Sequence, residues 1–204
     1  MKQKINLTLL LLVGLATVAQ AQRFTNSAGL TFEYIYGTVG GAAPKSYNLI
    51  LTPYYITYSP RFNMLETGST SLSIGAPVGI YIGGYSGTVN YSQFGFSSTI
   101  NDSGWLFGYE LPVVLDFNLG KGAIRDNDSR LGAYIGTGYS YSRFNIFGSH
   151  YSNYHGTSIG PLIRGGVRLR LGASAIGSFG LFYKQGREHE QFKTIGFNFL
   201  CCDL

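Results

Sequence analysis

The chain has 204 residues, with 15 Lys or Arg, 10 Asp or Glu, 29 Gly, 16 Tyr and 14 Phe. Charged residues make up 12%, about half the usual quarter for a soluble domain, and are too few to coat a water-facing surface. The mild positive balance offers no electrostatic footprint for nucleic acid. The adjacent Cys201 and Cys202 form neither a disulfide framework nor a metal site.

The N-terminus reads MKQKINLTLLLLVGLATVAQAQ. Lys2 and Lys4 make a short basic start, residues 5–18 are mainly apolar, and Ala19-Gln20-Ala21 is an A-x-A cleavage site. This pattern predicts a secretory signal peptide over residues 1–21 and a single domain over 22–204. Without residues 1–21, thirteen basic residues face ten acidic ones, a net charge of +3. The remainder has no apolar run of 18 residues, so no transmembrane helix is expected.

Eight segments then have strand character: 29–37, 46–58, 71–83, 105–119, 130–141, 160–170, 175–184 and 192–201. Gly, Ser, Asn and Asp fill the connections, and no 3.6-residue period is long enough for a helix. In 71–83, Leu72, Ile74, Ala76, Val78, Ile80 and Ile82 alternate with Ser71, Ser73, Gly75, Pro77, Gly79 and Tyr81. The run WLFGYELPVVLDFNLG alternates longest. Trp105, Phe107, Tyr109, Leu111, Val113, Leu115, Phe117 and Leu119 share one face, while Glu110 and Asp116 sit among small residues on the other. Segment 130–141 repeats the pattern, 160–170 sets Ile163 and Val167 against Arg164, Arg168 and Arg170, and 192–201 sets Ile195, Phe197 and Phe199 against Thr194, Gly196 and Asn198.

If the apolar faces pointed inward, the outside would be Gly, Ser and few charges, a poor coat against water and a slippery set of strands. If they point outward into lipid, the chain must close on itself, because every backbone polar group needs a partner within the protein. Alternating strands of about ten residues, even in number, are the signature of a transmembrane barrel. The reading is therefore all-β: an eight-stranded antiparallel up-and-down transmembrane β-barrel. Pro53, Pro77, Pro112 and Pro161 each remove a ladder donor, and Pro77 and Pro112 predict bulges or irregular pairing.

The apparent signal peptide, the eight alternating runs and the final run TIGFNFLC together make the chain resemble the small eight-stranded barrels of Gram-negative outer membranes, the OmpA/OmpX-like group. In that final run Thr194, Gly196, Phe199 and Cys201 match the family's assembly signal, although the chain ends CCDL rather than in an aromatic. The resemblance implies residence in the outer membrane, with lipid and the barrel-assembly machinery as partners. It also implies termini on the periplasmic side, outer loops at 38–45, 84–104, 142–159 and 185–191, and inner turns at 59–70, 120–129 and 171–174. The monomeric barrel would meet an extracellular partner through loops 84–104 and 142–159.

On the inward face, an interior just wide enough for its own side chains demands paired charges. Glu33, Glu110, Asp116, Arg164, Arg168, Arg170 and Lys184 form the expected lumen ion network, with Glu110 set against Lys184 and Asp116 against Arg168. No cofactor or metal is expected, and no catalysis. The weaker alternative is a lipid A-modifying enzyme of deacylase type, with His150 as general base for Ser152 in SHYSNYHGTS. That pair lacks an acidic residue to orient it between Asp128 and Glu188. A soluble secreted β-barrel binding a small apolar ligand is the other alternative.

Overall fold

The computed structural model describes residues 24–40, 45–93, 96–124, 128–148, 154–172, 175–186 and 190–202. Residues 1–21, His150 and Ser152 lie outside the described residues. Nine strands follow one another: β1 Phe24–Gly40, β2 Lys45–Thr67, β3 Thr70–Gly75, β4 Val78–Gln93, β5 Phe96–Gly120, β6 Leu131–Gly148, β7 Tyr154–Arg170, β8 Ile176–Gln185 and β9 Glu190–Cys202. Each pairs antiparallel with its neighbours, and β1 pairs with both β2 and β9, which closes the sheet into a barrel.

The ring has eight positions, because β3 and β4 share one. Both run between β2 and β5, in one register with β2 up to the irregularity at Asn63/Leu65 and in one register with β5 throughout. The interruption falls at Ala76 and Pro77. Ala76 N donates to Pro60 O at 3.1 Å on the β2 side. Backbone groups alternate sides along a strand, so the nitrogen of Pro77 faces β5. The register of Gly75 with Val114 and of Gly79 with Glu110 puts Pro112 directly opposite. The two missing donors therefore meet, and the wall loses one pair of ladder bonds in one place. Of the bulges or irregular pairing expected at these prolines, Pro77 shows the second, as this interruption between β3 and β4. Pro112 stays within a continuous β5, and the register shift occurs instead in β2.

The strands run well past the expected lengths. β5 has 25 residues and β2 has 23. The expected inner turn 59–70 is mostly strand, reduced to a tight hairpin between Thr67 and Thr70 with Gly68 at φ 57°. At the opposite end β4, β5, β6 and β7 extend into the expected outer loops 84–104 and 142–159.

The β5 alternation settles which face is inside. Trp105, Phe107, Leu111, Val113, Leu115, Phe117 and Leu119 are all exposed, Trp105 at 67%. Leu106, Glu110, Val114, Asp116 and Asn118 are buried. The other strands do likewise: Leu30, Ile56, Ile80, Ile135, Ile163, Leu181 and Ile195 all face outward. A closed barrel with this exterior spans a membrane, since an apolar band of such extent has no stable place in water. A soluble barrel would need the reverse arrangement.

Candidate functional site in the lumen

The interior is layered. At the end away from the termini, Ile35, Leu49, Leu51, Leu106, Phe144, Ile146 and Phe192 pack with Tyr81 and Tyr85 into a buried apolar cluster. Tyr85 Oη donates to Asp102 Oδ2 at 3.0 Å within it.

Below that cluster sits a buried charge triad. Lys184 of β8 reaches across the lumen and pairs with both Glu33 of β1 and Glu110 of β5, with Nζ 2.6 Å from Glu110 Oε2. Tyr55 Oη donates to Glu33 Oε2 at 2.5 Å and Ser140 Oγ to Glu110 Oε1 at 2.6 Å. The ammonium also lies 4.9 Å from the Phe182 ring centroid, within cation–π range. All three charged groups thus have the partners that burial demands.

Nearer the termini comes the second charged layer. Arg164 grips Asp116 in a bidentate pair, with Nε donating to Oδ1 at 2.8 Å and Nη2 to Oδ2. The register explains the partnership: Asp116 of β5, Gly136 of β6 and Arg164 of β7 form one row across three strands. Gly136 has no side chain, so the two long ones meet over it. The expected pairing of Asp116 with Arg168 is corrected by the same register, because Arg168 pairs with Gly132, four residues before Gly136 in β6.

Arg168 instead belongs to a third layer. Its Nη1 donates to Asn118 Oδ1 at 2.9 Å and to Gly122 O at 3.3 Å, and its guanidinium stacks 4.5 Å from the Tyr134 ring centroid. Arg61 joins it, with Nη2 donating to Gly122 O at 2.7 Å. Asn63 Nδ2 donates to Ala123 O at 2.9 Å. The turn after β5 thus folds into the mouth of the barrel, held by its carbonyls, and Gly120 and Gly122 give it positive φ at 70° and 75°. Arg170 stands apart. It is exposed at the rim, where Nε donates to Gly172 O at 3.0 Å.

Arg61 and Asn63 were missed because 59–70 reads as turn. The signal was there, since Ser59, Arg61 and Asn63 continue the period of two and are all buried. The aromatic partners of the interior were missed too. Tyr134 lies across Gly166 of the next strand and reaches the one after, where a Cβ on Gly180 would stand 2.1 Å from its hydroxyl. Phe182 covers Gly196 in the same way, with a built Cβ 2.2 Å from its ring. The many inward glycines are therefore seats for large side chains from neighbouring strands.

Between the triad and the Asp116–Arg164 pair is a cavity of about 50 Å³, bordered by Thr31, Thr57, Pro77, Pro112 and Asn198. Asn198 Oδ1 accepts no hydrogen bond from the protein, and with Thr31 and Thr57 it gives this largely apolar cavity a polar corner for a water. Among the described residues no three His, Cys, Asp or Glu side chains converge on a metal site.

No family model and no curated protein matches the chain. Solved structures do. Neisserial surface protein A superposes with a TM-score of 0.51 at 12% identity, covering 88% of this chain and 95% of that one. Ail of Yersinia pestis, solved with the heparin analogue sucrose octasulfate, gives 0.49 at 9% identity and covers 88% and 97%. OprG of Pseudomonas aeruginosa gives 0.45 at 11%. The first of these carries the likeness: the chain has the fold of the small OmpA/OmpX-like outer-membrane barrels.

Proposed function

We propose that the protein is a non-catalytic outer-membrane barrel, exported by a signal at residues 1–21, whose lumen is closed and whose role is carried by its outward-facing end. Lipid and the assembly machinery are its obligatory partners, and an extracellular partner would engage the region around 84–104 and 142–159. The observation that carries this reading is Lys184 bound between Glu33 and Glu110 at the floor of the apolar cluster. Ion passage would require breaking a buried, fully partnered triad and then crossing a packed layer of Leu, Ile, Phe and Tyr. Each of those steps is costly in a low-dielectric interior. The long strands support the second part of the reading, because they lift the far end of the barrel beyond the apolar band.

Planar-bilayer recording on the purified, refolded protein tests the closed lumen. No resolved single-channel steps are expected. Steady ohmic conductance through single inserted barrels would overturn it.

A further inference from the structure

The outer surface changes character along β9, β1, β2, β4 and β5, and the register shows where. Phe197, Phe32, Tyr54, Ile82 and Phe107 form one row across these five strands, every one an apolar or aromatic side chain. Four residues further from the termini on β1, a second row holds Lys193, Tyr36, Ile50, Ser86 and Ser103. Two residues beyond, Thr38, Asn48, Thr88 and Asn101 continue it as a row of hydroxyls and amides. The surface thus passes from lipid-like, through one cation, to neutral and polar within a few residues of each strand.

A groove of about 360 Å³ lies over these last two rows, with Tyr36 and Ile50 on one side and Thr38, Asn48, Thr88 and Asn101 on the other. That volume is within the range of small-ligand sites. Among the described residues no charged side chain lines the groove. Lys193 stands beside it, opposite Tyr36 on the neighbouring strand, its Nζ 6.0 Å from the Tyr36 ring centroid. Amides and hydroxyls both donate and accept, as sugar hydroxyls do, and an exposed aromatic ring takes the apolar C–H face of a sugar. A cation beside such a groove suits a phosphate.

We propose that this groove seats the saccharide of a phosphorylated glycolipid of the outer leaflet. The acyl chains would lie on the apolar rows, the phosphate at Lys193 and the sugar between Tyr36 and Asn101. The order of chemistries along the wall matches the order along such a molecule, and the groove is continuous with the lipid-facing band. This inference rests on the outer-membrane reading and deepens it. It stands or falls separately from the closed lumen, because it concerns only the outer wall.

The test is a binding titration on the refolded full-length barrel in nonionic micelles, using three fluorescent probes: rough lipopolysaccharide, lipid A without core sugar, and the free core oligosaccharide. Wild type should bind the rough lipopolysaccharide about tenfold more tightly than lipid A, the equivalent of one or two net hydrogen bonds plus ring contact. Tyr36→Ala with Asn101→Ala should erase that difference and leave lipid A binding unchanged. Lys193→Gln should weaken both lipid probes by a similar factor. If the alanine pair fails to fold, Tyr36→Leu with Asn101→Ala takes its place. Equal binding of the two lipids by wild type, or a retained tenfold preference in the variant, would overturn the proposal. Free oligosaccharide binding as tightly as the lipopolysaccharide would overturn it too, in favour of a soluble glycan.

Discussion

Gly136 is the most informative single position in the barrel. A Cβ there would stand 2.0 Å from Asp116 Oδ1 and 2.7 Å from Leu115 O. The backbone oxygen belongs to a paired strand and cannot retreat, so the carboxylate must leave its place over β6. Asp116 is fully buried, with a side-chain exposure of 0%, and its bidentate partner Arg164 is at 11%. Gly136→Ala should therefore break the pair and leave buried charge without its partner. Breaking a buried pair costs about 3–5 kcal/mol. Replacing a strand glycine by alanine gains only about 0.5–1 kcal/mol by stiffening the chain. The first effect is several times the second, so the net change should be destabilising by roughly 2–4 kcal/mol. Gly84→Ala is the control, since the nearest heavy atom to its built Cβ is 3.7 Å away. It should be as stable as wild type or more stable by up to about 1 kcal/mol. Urea unfolding in phospholipid vesicles measures both, followed by heat-modifiable gel mobility and the fluorescence of Trp105. If Gly136→Ala proves as stable as Gly84→Ala, the Asp116–Arg164 pair is not held together by the register row, and the reasoning fails.

Lys184→Met should destabilise the barrel by about 3–5 kcal/mol, because it leaves Glu33 and Glu110 buried without their shared cation. Adding Glu33→Gln and Glu110→Gln to it should recover most of that loss in the same urea assay, and no recovery would mean that Lys184 acts through packing alone. On the outer wall, Leu115→Arg puts a charge in the apolar band and should cost about 2–4 kcal/mol. Asn101→Arg, beyond the band, should cost less than about 1 kcal/mol, and equal costs at the two positions would misplace the membrane boundary.

The architecture was legible because a period of two, held over many strands, survives without any knowledge of contacts. Trp105 through Leu119 could be split into two faces by counting alone, and the scarcity of charge decided which face met lipid. Strand ends were less legible. Residues 84–104 are rich in Ser, Asn, Gly and Thr, which mark turns in most proteins. Here Ser86, Thr88, Asn101 and Ser103 coat strands that stand beyond the lipid, where a polar exterior is what water requires. Composition alone cannot separate a loop from a strand with one wet face.

The lumen shows the same limit at the level of single residues. Periodicity placed Asp116, Arg164 and Arg168 on the inner face, but the expected partner of Asp116 was Arg168, four residues along the strand from the Arg164 that it meets. What decides between them is the register of β6 against β7, and a shift of two residues would keep every side chain on its proper face while moving every partner. The glycines resolve the choice. Gly136 opposes Arg164 and leaves the space that the Asp116 carboxylate crosses, whereas Gly132 opposes Arg168 and is crowded by the Lys121 carbonyl, 2.0 Å from a built Cβ. Arg168 therefore meets the infolded turn, where Gly122 O and Asn118 accept its hydrogen bonds. The inward glycines let backbone and side chains approach closely. At Gly136, Gly180 and Gly196 they act as sites of exclusion, each admitting one large neighbour and no side chain of its own. In a barrel this narrow, the positions without side chains select which charges can pair.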